Sequence, residues 1–468
     1  MIAQRGAIAF LLCTSLLVGI AASQQDVPLR VGFSTVDVTP DITKAPAYLA
    51  GFGKNRKATK IHDPILARAV VLEHGDQKLA FVSVDLVGIF HDVVETVRPR
   101  LKGVTYLCVT ATHNHHGPDT IGMWGPNLFT TGVDPAYMKQ LENAIVAAVE
   151  KAGASLAKVH EVRIGQTRDA DLLRDSRQPI VKHDELTAVQ FIGPDKKTLG
   201  IVTTWNCHPE ALPSNNPEMS ADYVAATVKH LQDKFQAPVV YLTGTVGGLM
   251  TPDTSRYKDE KGNRLPDSFE ATQRYGIDIG KLTEKALTEG RVAKITPFEV
   301  TRREIYLPID NNAFALGFRL GVLKRNAYGW SGDVTKSVPI DKNDAKQKLA
   351  AKTEIARLKL GDLDIAAIPG EIYPELVLGK YQEPADPAAD FPDAPLEPSI
   401  YSALKGPFRM VIGLANDEIG YIIPKRQWDE KAPFAYGRKS SQYGEINSLG
   451  QETAPLMNKA FIEMVKGK

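Results

Sequence analysis

The stretch TATHNHHGPD, residues 110 to 119, sets three histidines within four positions. His113, His115 and His116 are three of only ten histidines in the chain. A neutral imidazole is a good zinc ligand. In extended backbone His113 and His115 point to one side and His116 to the other, so the first two can share a pocket. A polar turn at Gly117-Pro118 would account for the same residues. The pattern recurs, however: "TTWNCHPEAL" reaches His208, "AAIPGEIYPE" reaches Glu371, and "GLANDEIGYIIP" reaches Asn416, Asp417 and Tyr421. In each, an apolar run ends in a candidate ligand or acid. One such ending is ordinary, but several together point to a shared catalytic edge. Two histidines, a carboxylate and an open position are what a catalytic zinc requires.

The elements that must carry these residues alternate between strand and helix. Short, apolar, β-branched runs predict strands over 78–89, 104–113, 197–208, 237–245, 360–371 and 408–417. Helical spacing predicts helices over 135–152, with Asp134 as N-cap, over 221–235, and over the C-terminal ETAPLMNKAFIEMVKG. The expected class is α/β: a layered mixed β-sheet sandwich flanked by helices, in a single catalytic domain. No internal repeat is visible. Residues 381–408 hold prolines at 384, 387, 392, 395, 398 and 407, which exclude a regular helix or central strand. Because this segment lies between Glu371 and Tyr421, it is expected to be a mobile cover, closing Phe391, Ile400, Tyr401 and Leu404 onto an apolar substrate.

The bulk properties set the class of partner. The chain has 56 basic and 55 acidic residues, which argues against nucleic acid. Residues 1–23 read as a signal peptide: Arg5, an apolar run over 7–20, then small residues to Ser23. Residues 24–468 would then be the catalytic domain, secreted or periplasmic. Cys108 and Cys207 remain after cleavage, as one bridge or two buried thiols.

The order of motifs "FSTVDVTPD", "AGFG…IHDPILARAVVL", "FVSVDLVG", "TATHNHHGPD", "WNCHPEAL", "PGE" and "LANDEIGYIIP…AYGRKSSQYGE" resembles the catalytic domain of the neutral, non-lysosomal ceramidases, over roughly residues 31 to 465. Members usually carry a further immunoglobulin-like domain; the sequence ends at Lys468, so the catalytic domain alone is expected. The resemblance implies one Zn2+ held by His113, His208, Glu371 and Tyr421. It also implies that His115, His62, Arg174 and Tyr436 act at the scissile amide, with Arg177 a rival to Arg174, and that Tyr443 contacts substrate. His115 would serve as general acid, and Tyr436, His62 or Arg174 would stabilise the oxyanion. One departure is plain. Where the family carries a serine proposed to act in amide cleavage, this chain has Gly247, in "GTVGGLMTPD", and Thr245 replaces an aspartate. Metal-activated water can attack an amide or ester without that serine. The expected function is therefore a zinc-dependent hydrolase of amide bonds acting on N-acyl lipids such as N-acylsphingosine. The alternatives are a lipid-binding protein that has lost catalysis, or a zinc hydrolase of another ester or amide. A lipid substrate leaves peripheral membrane contact open, and no protein partner is implied. The apolar stretch 311–330 could line a lipid groove or form a core helix.

Overall fold

The computed structural model describes residues 27–467 except 342, 343 and 345. The expected signal peptide lies outside the described residues. Three large sheets dominate, with strand orders that repeat one scheme. In the first, Arg30–Asp37, Leu66–His74 and Gln77–Val84 form an antiparallel meander, and Tyr106–Ala111 adds parallel to the third strand. In the second, Glu161–Arg168, Glu185–Ile192 and Thr198–Trp205 meander, and Val239–Thr243 adds parallel. In the third, Phe298–Ile309, Leu349–Leu360 and Leu363–Ala367 meander, and Phe408–Ile412 adds parallel. The chain is thus three topologically equivalent units, a repeat of structure that leaves no repeat of sequence.

A parallel addition needs a crossover, and each unit makes it through helix: α1 (His91–Val97) in the first, α3 (Tyr223–Phe235) in the second, α6 (Pro374–Leu378) and α7 (Ile400–Ala403) in the third. A helix then covers the outer face of the first two strands. These are α2 (Pro135–Ala154), α4 (Phe269–Glu289) and α8 (Thr453–Val465). The Asp134 side chain accepts from Ala136 N and caps α2. The inner faces share one core, where Val70 and Phe81 meet Val189 and Leu242 and also Leu358 and Ile365. Three further clusters fill the space between each sheet and its helix. Together with α5 (Asn312–Arg319) these make eight α-helices among the described residues, in a mixed, layered α/β fold. None of them is long and apolar enough to cross a membrane. Cys108 and Cys207 are two buried free thiols.

The proline-rich segment corrects an expectation. Ile400, Tyr401 and Leu404 are buried in the core beside α8. Asp390 accepts from Glu430 N, Glu397 from Lys425 N, and Asn458 donates to Pro398 O. The segment is a packed strap, and none of its residues lines the cleft described below.

Candidate metal centre

The parallel strands of the three units meet near their C-terminal ends. Gly413 N donates to Thr243 O at 2.9 Å, and Thr110 Oγ1 donates to Gly413 O at 2.8 Å. The residues just beyond the strands are thereby gathered. His113 follows Tyr106–Ala111 of the first unit, and His208 follows Thr198–Trp205 of the second. Glu371 and Tyr421 come from the third unit, where Glu371–Ile372 and Tyr421–Ile422 form a short parallel ladder with Glu371 directly opposite Tyr421.

The four side chains converge. His113 Nδ1 lies 2.7 Å from Val87 O, and His208 Nδ1 lies 2.9 Å from Met250 O. A carbonyl oxygen only accepts, so both Nδ1 atoms carry their protons and donate. Each ring then offers a bare Nε2, and these lie 3.3 Å and 2.9 Å from the same carboxylate oxygen, Glu371 Oε2. The Tyr421 hydroxyl is 3.4 Å from His208 Nε2. Two nitrogen lone pairs facing a carboxylate require a positive charge between them. A proton can supply it: burial pulls His113 down, but the Glu371 charge outweighs burial and lifts it to about 9. A metal ion supplies it equally, and two imidazoles with a carboxylate suit zinc, the Tyr421 phenol being an unusual fourth donor. Burial alone would raise Glu371, yet His113 and His208 hold it well below the usual carboxylate range. Burial, with the Glu371 charge, pushes the Tyr421 phenol well above its ordinary value.

His115 stands beside this group, its ring centroid 5.0 Å from that of His113. His113, His115, Glu371 and Tyr421 line one cleft. Its other walls are largely apolar, and include Phe90, Ile121, Trp124, Phe314, Phe318 and Leu323, which pack in one cluster. The 311–330 stretch thus lines the cleft, in part through α5. Tyr443 is half-exposed on the same cleft, its ring 6.0 Å from that of Tyr421.

Other expected residues are not brought to the cleft. His62 stacks on Phe269 at 3.7 Å in a separate cavity, because its short strand Lys60–Ile61 pairs with Glu218–Met219 away from the centre. The Tyr436 hydroxyl donates to Gln382 Oε1 at 3.1 Å against the strap. Arg174 is exposed, bonds Thr251 Oγ1 at 3.2 Å, and borders a polar cavity that Glu210 also lines. Arg177 is a buried structural residue, forked onto Glu445 at 2.9 and 2.7 Å. His116 is buried behind the cleft, its Nε2 3.3 Å from Pro213 O.

Two acids at the centre escape the sequence patterns. Glu418, inside LANDEIGY, groups with His113 and Glu371 as a further ligand set, and burial with the Glu371 charge raises it to about 8. Glu210, inside CHPEAL, faces His115 at 3.2 Å. The only hint of either was an acid placed close to a candidate ligand. Gly247 fits its surroundings closely: a Cβ there would lie 2.5 Å from Tyr373 Cδ1 and 2.6 Å from the Ile372 carbonyl carbon. A serine cannot occupy this position without displacing backbone.

Residues 29–241 match the sequence profile of the family described as neutral/alkaline non-lysosomal ceramidase, N-terminal. Over these residues the chain resembles that family. The fold agrees: a crystal structure of neutral ceramidase from Pseudomonas aeruginosa superposes with a TM-score of 0.69 at 17% identity, covering 94% of this chain and 74% of that one. A ceramidase complexed with C2 gives 0.69 at 16% identity, covering 94% and 75%. At such identities the likeness is one of fold, and it reaches beyond the profile match into the third unit. No curated protein sequence matches the chain.

Proposed function

We propose that this ceramidase-like chain is an exported zinc-dependent hydrolase of amide bonds that acts on N-acyl lipids, N-acylsphingosine among them. The observation that carries this reading is the convergence of His113, His208, Glu371 and Tyr421 beside an apolar cleft, which His113, Glu371 and Tyr421 line. His113 and His208 would offer Nε2, Glu371 its Oε2 and Tyr421 its phenol oxygen to zinc. When bound, zinc supplies Lewis acidity toward a carbonyl oxygen and toward water. The apolar walls, with Phe314 and Phe318 prominent, hold an acyl chain and keep water from it. Tyr443 at the mouth offers a hydroxyl to a polar head group. His115 carries a proton to the departing amine nitrogen. Residues 1–23 would direct export, and 24–468 would be the catalytic domain.

Gly247 favours one second reading, a lipid-binding protein of the same fold without turnover. Elemental analysis and an activity screen separate the two. The amidase reading expects one zinc per chain, lost in His113→Ala/His208→Ala, with N-acyl amides cleaved by wild type and not by Glu371→Ala. Lipid binding without cleavage of any N-acyl amide supports the second reading. Turnover of esters alone, or wild type without zinc, refutes the first.

A further inference from the structure

Helix α5 carries apolar side chains on two faces, yet none of its residues, Asn312–Arg319, is buried. Phe314 and Phe318 line the cleft, while Leu316 and, at the C-terminal cap, Leu320 are left to solvent, 51% and 55% exposed. A helix that is apolar all round belongs in a core or in lipid. Its neighbours repeat the pattern. Met123 and Trp124 line the cleft, and the turn closed by Asn127 and Thr130 exposes Leu128 and Phe129. Tyr443 and Asn447 line it too, and Tyr443 and Ile446 are exposed. Hydrogen bonds set these segments side by side around one opening: Lys324 N donates to Ile121 O at 3.4 Å, and Asn311 Nδ2 to Ile446 O at 2.9 Å. The charge of this rim has one sign. Lys54, which donates to Met123 O at 2.8 Å, Arg319 and Lys324 are exposed, and none pairs with an acid among the described residues. Over 51–57, 120–132, 311–324 and 443–449 the only acid is Glu445, buried against Arg177.

We propose that this rim is a membrane-docking surface, which seats the mouth of the cleft on an anionic lipid bilayer. Leu128, Phe129, Leu316, Leu320 and Ile446 enter the boundary between head groups and acyl chains, where burial of apolar surface drives binding. Lys54, Arg319 and Lys324 meet lipid phosphates, and no exposed acid on these segments opposes them. Single exposed apolar residues are ordinary on any surface, but a group of them around the mouth of an apolar cleft marks an interaction site. A second copy of the chain would cover the same residues, but a twofold contact through this patch sets basic side chains against basic side chains. Charge therefore favours lipid as the occupant. Docking does not depend on turnover, since a lipid-binding protein without catalysis would use the same surface. On the reading that the cleft takes an acyl chain, the chain passes from bilayer to cleft without crossing water.

Co-sedimentation with vesicles that contain no N-acyl amide tests it, on the chain as isolated after export. All variants share one N-terminus, so any contribution of residues 1–23 cancels. Wild type should bind mixed phosphatidylglycerol–phosphatidylcholine vesicles, and bind phosphatidylcholine alone more weakly; added salt should weaken the first. Leu316→Ser/Leu320→Ser should lower the partition coefficient roughly tenfold or more at an unchanged denaturant midpoint. Lys54→Gln/Arg319→Gln/Lys324→Gln should lower it by about tenfold or more at low salt and remove most of the preference for the anionic vesicles. Val292→Ser, at an exposed position on the far edge of the second sheet, should bind as wild type does. Absence of wild-type binding, equal binding by either rim variant, or an equal loss in Val292→Ser overturns the proposal. So does a dimer that Leu316→Ser/Leu320→Ser splits while vesicle binding persists, which assigns the patch to a second copy. No step of this test involves turnover, so its failure and the failure of the amidase reading are read separately.

Discussion

His113 carries its ring on left-handed backbone, φ 67°, where a side chain beyond Cβ meets a steric cost. That geometry aims Nε2 at Glu371 and is held by the anchor on Val87. Nearby, Gly51 has φ 93°, and a Cβ on it would sit 2.3 Å from His115 Cγ. Gly51→Ala is expected to displace the His115 ring, lowering kcat while zinc content stays at the wild-type level; turnover beside elemental analysis checks this. Gly247→Ser, which restores the hydroxyl of the related family, is expected to lower stability by about 1–3 kcal/mol through overpacking and to gain no activity. Denaturant unfolding and turnover decide it, and faster hydrolysis would show that the position has room for a nucleophile. His113, His208, Glu371 and Tyr421 were legible as candidates because each follows an apolar run closely. His62 and Tyr436 were misplaced because motif order does not say which face of the molecule a loop reaches. Glu210 and Glu418 were missed because an acid beside a ligand looks like any solvated charge until its partner, brought from another unit, is known.

At the scale of elements, α5 bears most directly on substrate choice. Phe314 and Phe318 are one helical turn apart on the face toward the cleft, with ring centroids 6.4 Å apart. Phe318→Ser is expected to raise KM for long-chain N-acyl substrates roughly tenfold, the factor equivalent to ~1.4 kcal/mol, and to leave short-chain substrates nearly unaffected. Kinetics across a chain-length series check this. The strap over 381–408 is expected not to set that preference, since its apolar residues are core: Ile400→Ala should lower stability by about 2–5 kcal/mol without changing the chain-length profile. Six of the twelve strands described above and three of the long helices could be read from periodicity; the paired strands Phe298–Ile309 and Leu349–Leu360 were among those missed. The helix α4 could not. It contains Gly276 and Gly280, which lower helix propensity, yet a Cβ on Gly276 would lie 2.4 Å from Tyr223 O, and one on Gly280 would lie 2.5 Å from the His230 ring. These glycines serve close packing of α4 on α3, a tertiary reason invisible to local pattern. The prolines of the strap misled in the opposite sense, since they exclude regular structure without implying motion.

The whole molecule joins three units, and its junctions carry buried polar groups. His183 precedes a strand of the second unit, accepts or donates at Thr245 Oγ1 at 3.0 Å, and meets the Tyr401 ring of the third unit edge-on. Burial lowers it to about 3. The unfolded chain, at about 6.5, therefore binds this proton first. The stability from a neutral His183 is complete above pH 6.5 and falls by ~1.4 kcal/mol per pH unit as acidity increases toward pH 3. Denaturant midpoints at pH 7 and pH 5 should differ less in His183→Gln than in wild type. The threefold plan was illegible in the sequence because only hydrogen-bond order repeats; the side chains beyond each strand have diverged into different ligands. That divergence has a consequence for synthesis and turnover of the protein. On the proposed assignment, the first unit supplies an imidazole, the second another, and the third a carboxylate and a phenol, the last at Tyr421. A nascent chain, or one nicked and shed of its final third, holds at most two of the four donors, however well its own sheets have closed. On that assignment the full ligand set forms only when the polypeptide is nearly complete, and loss of the third unit removes two of its four donors at once.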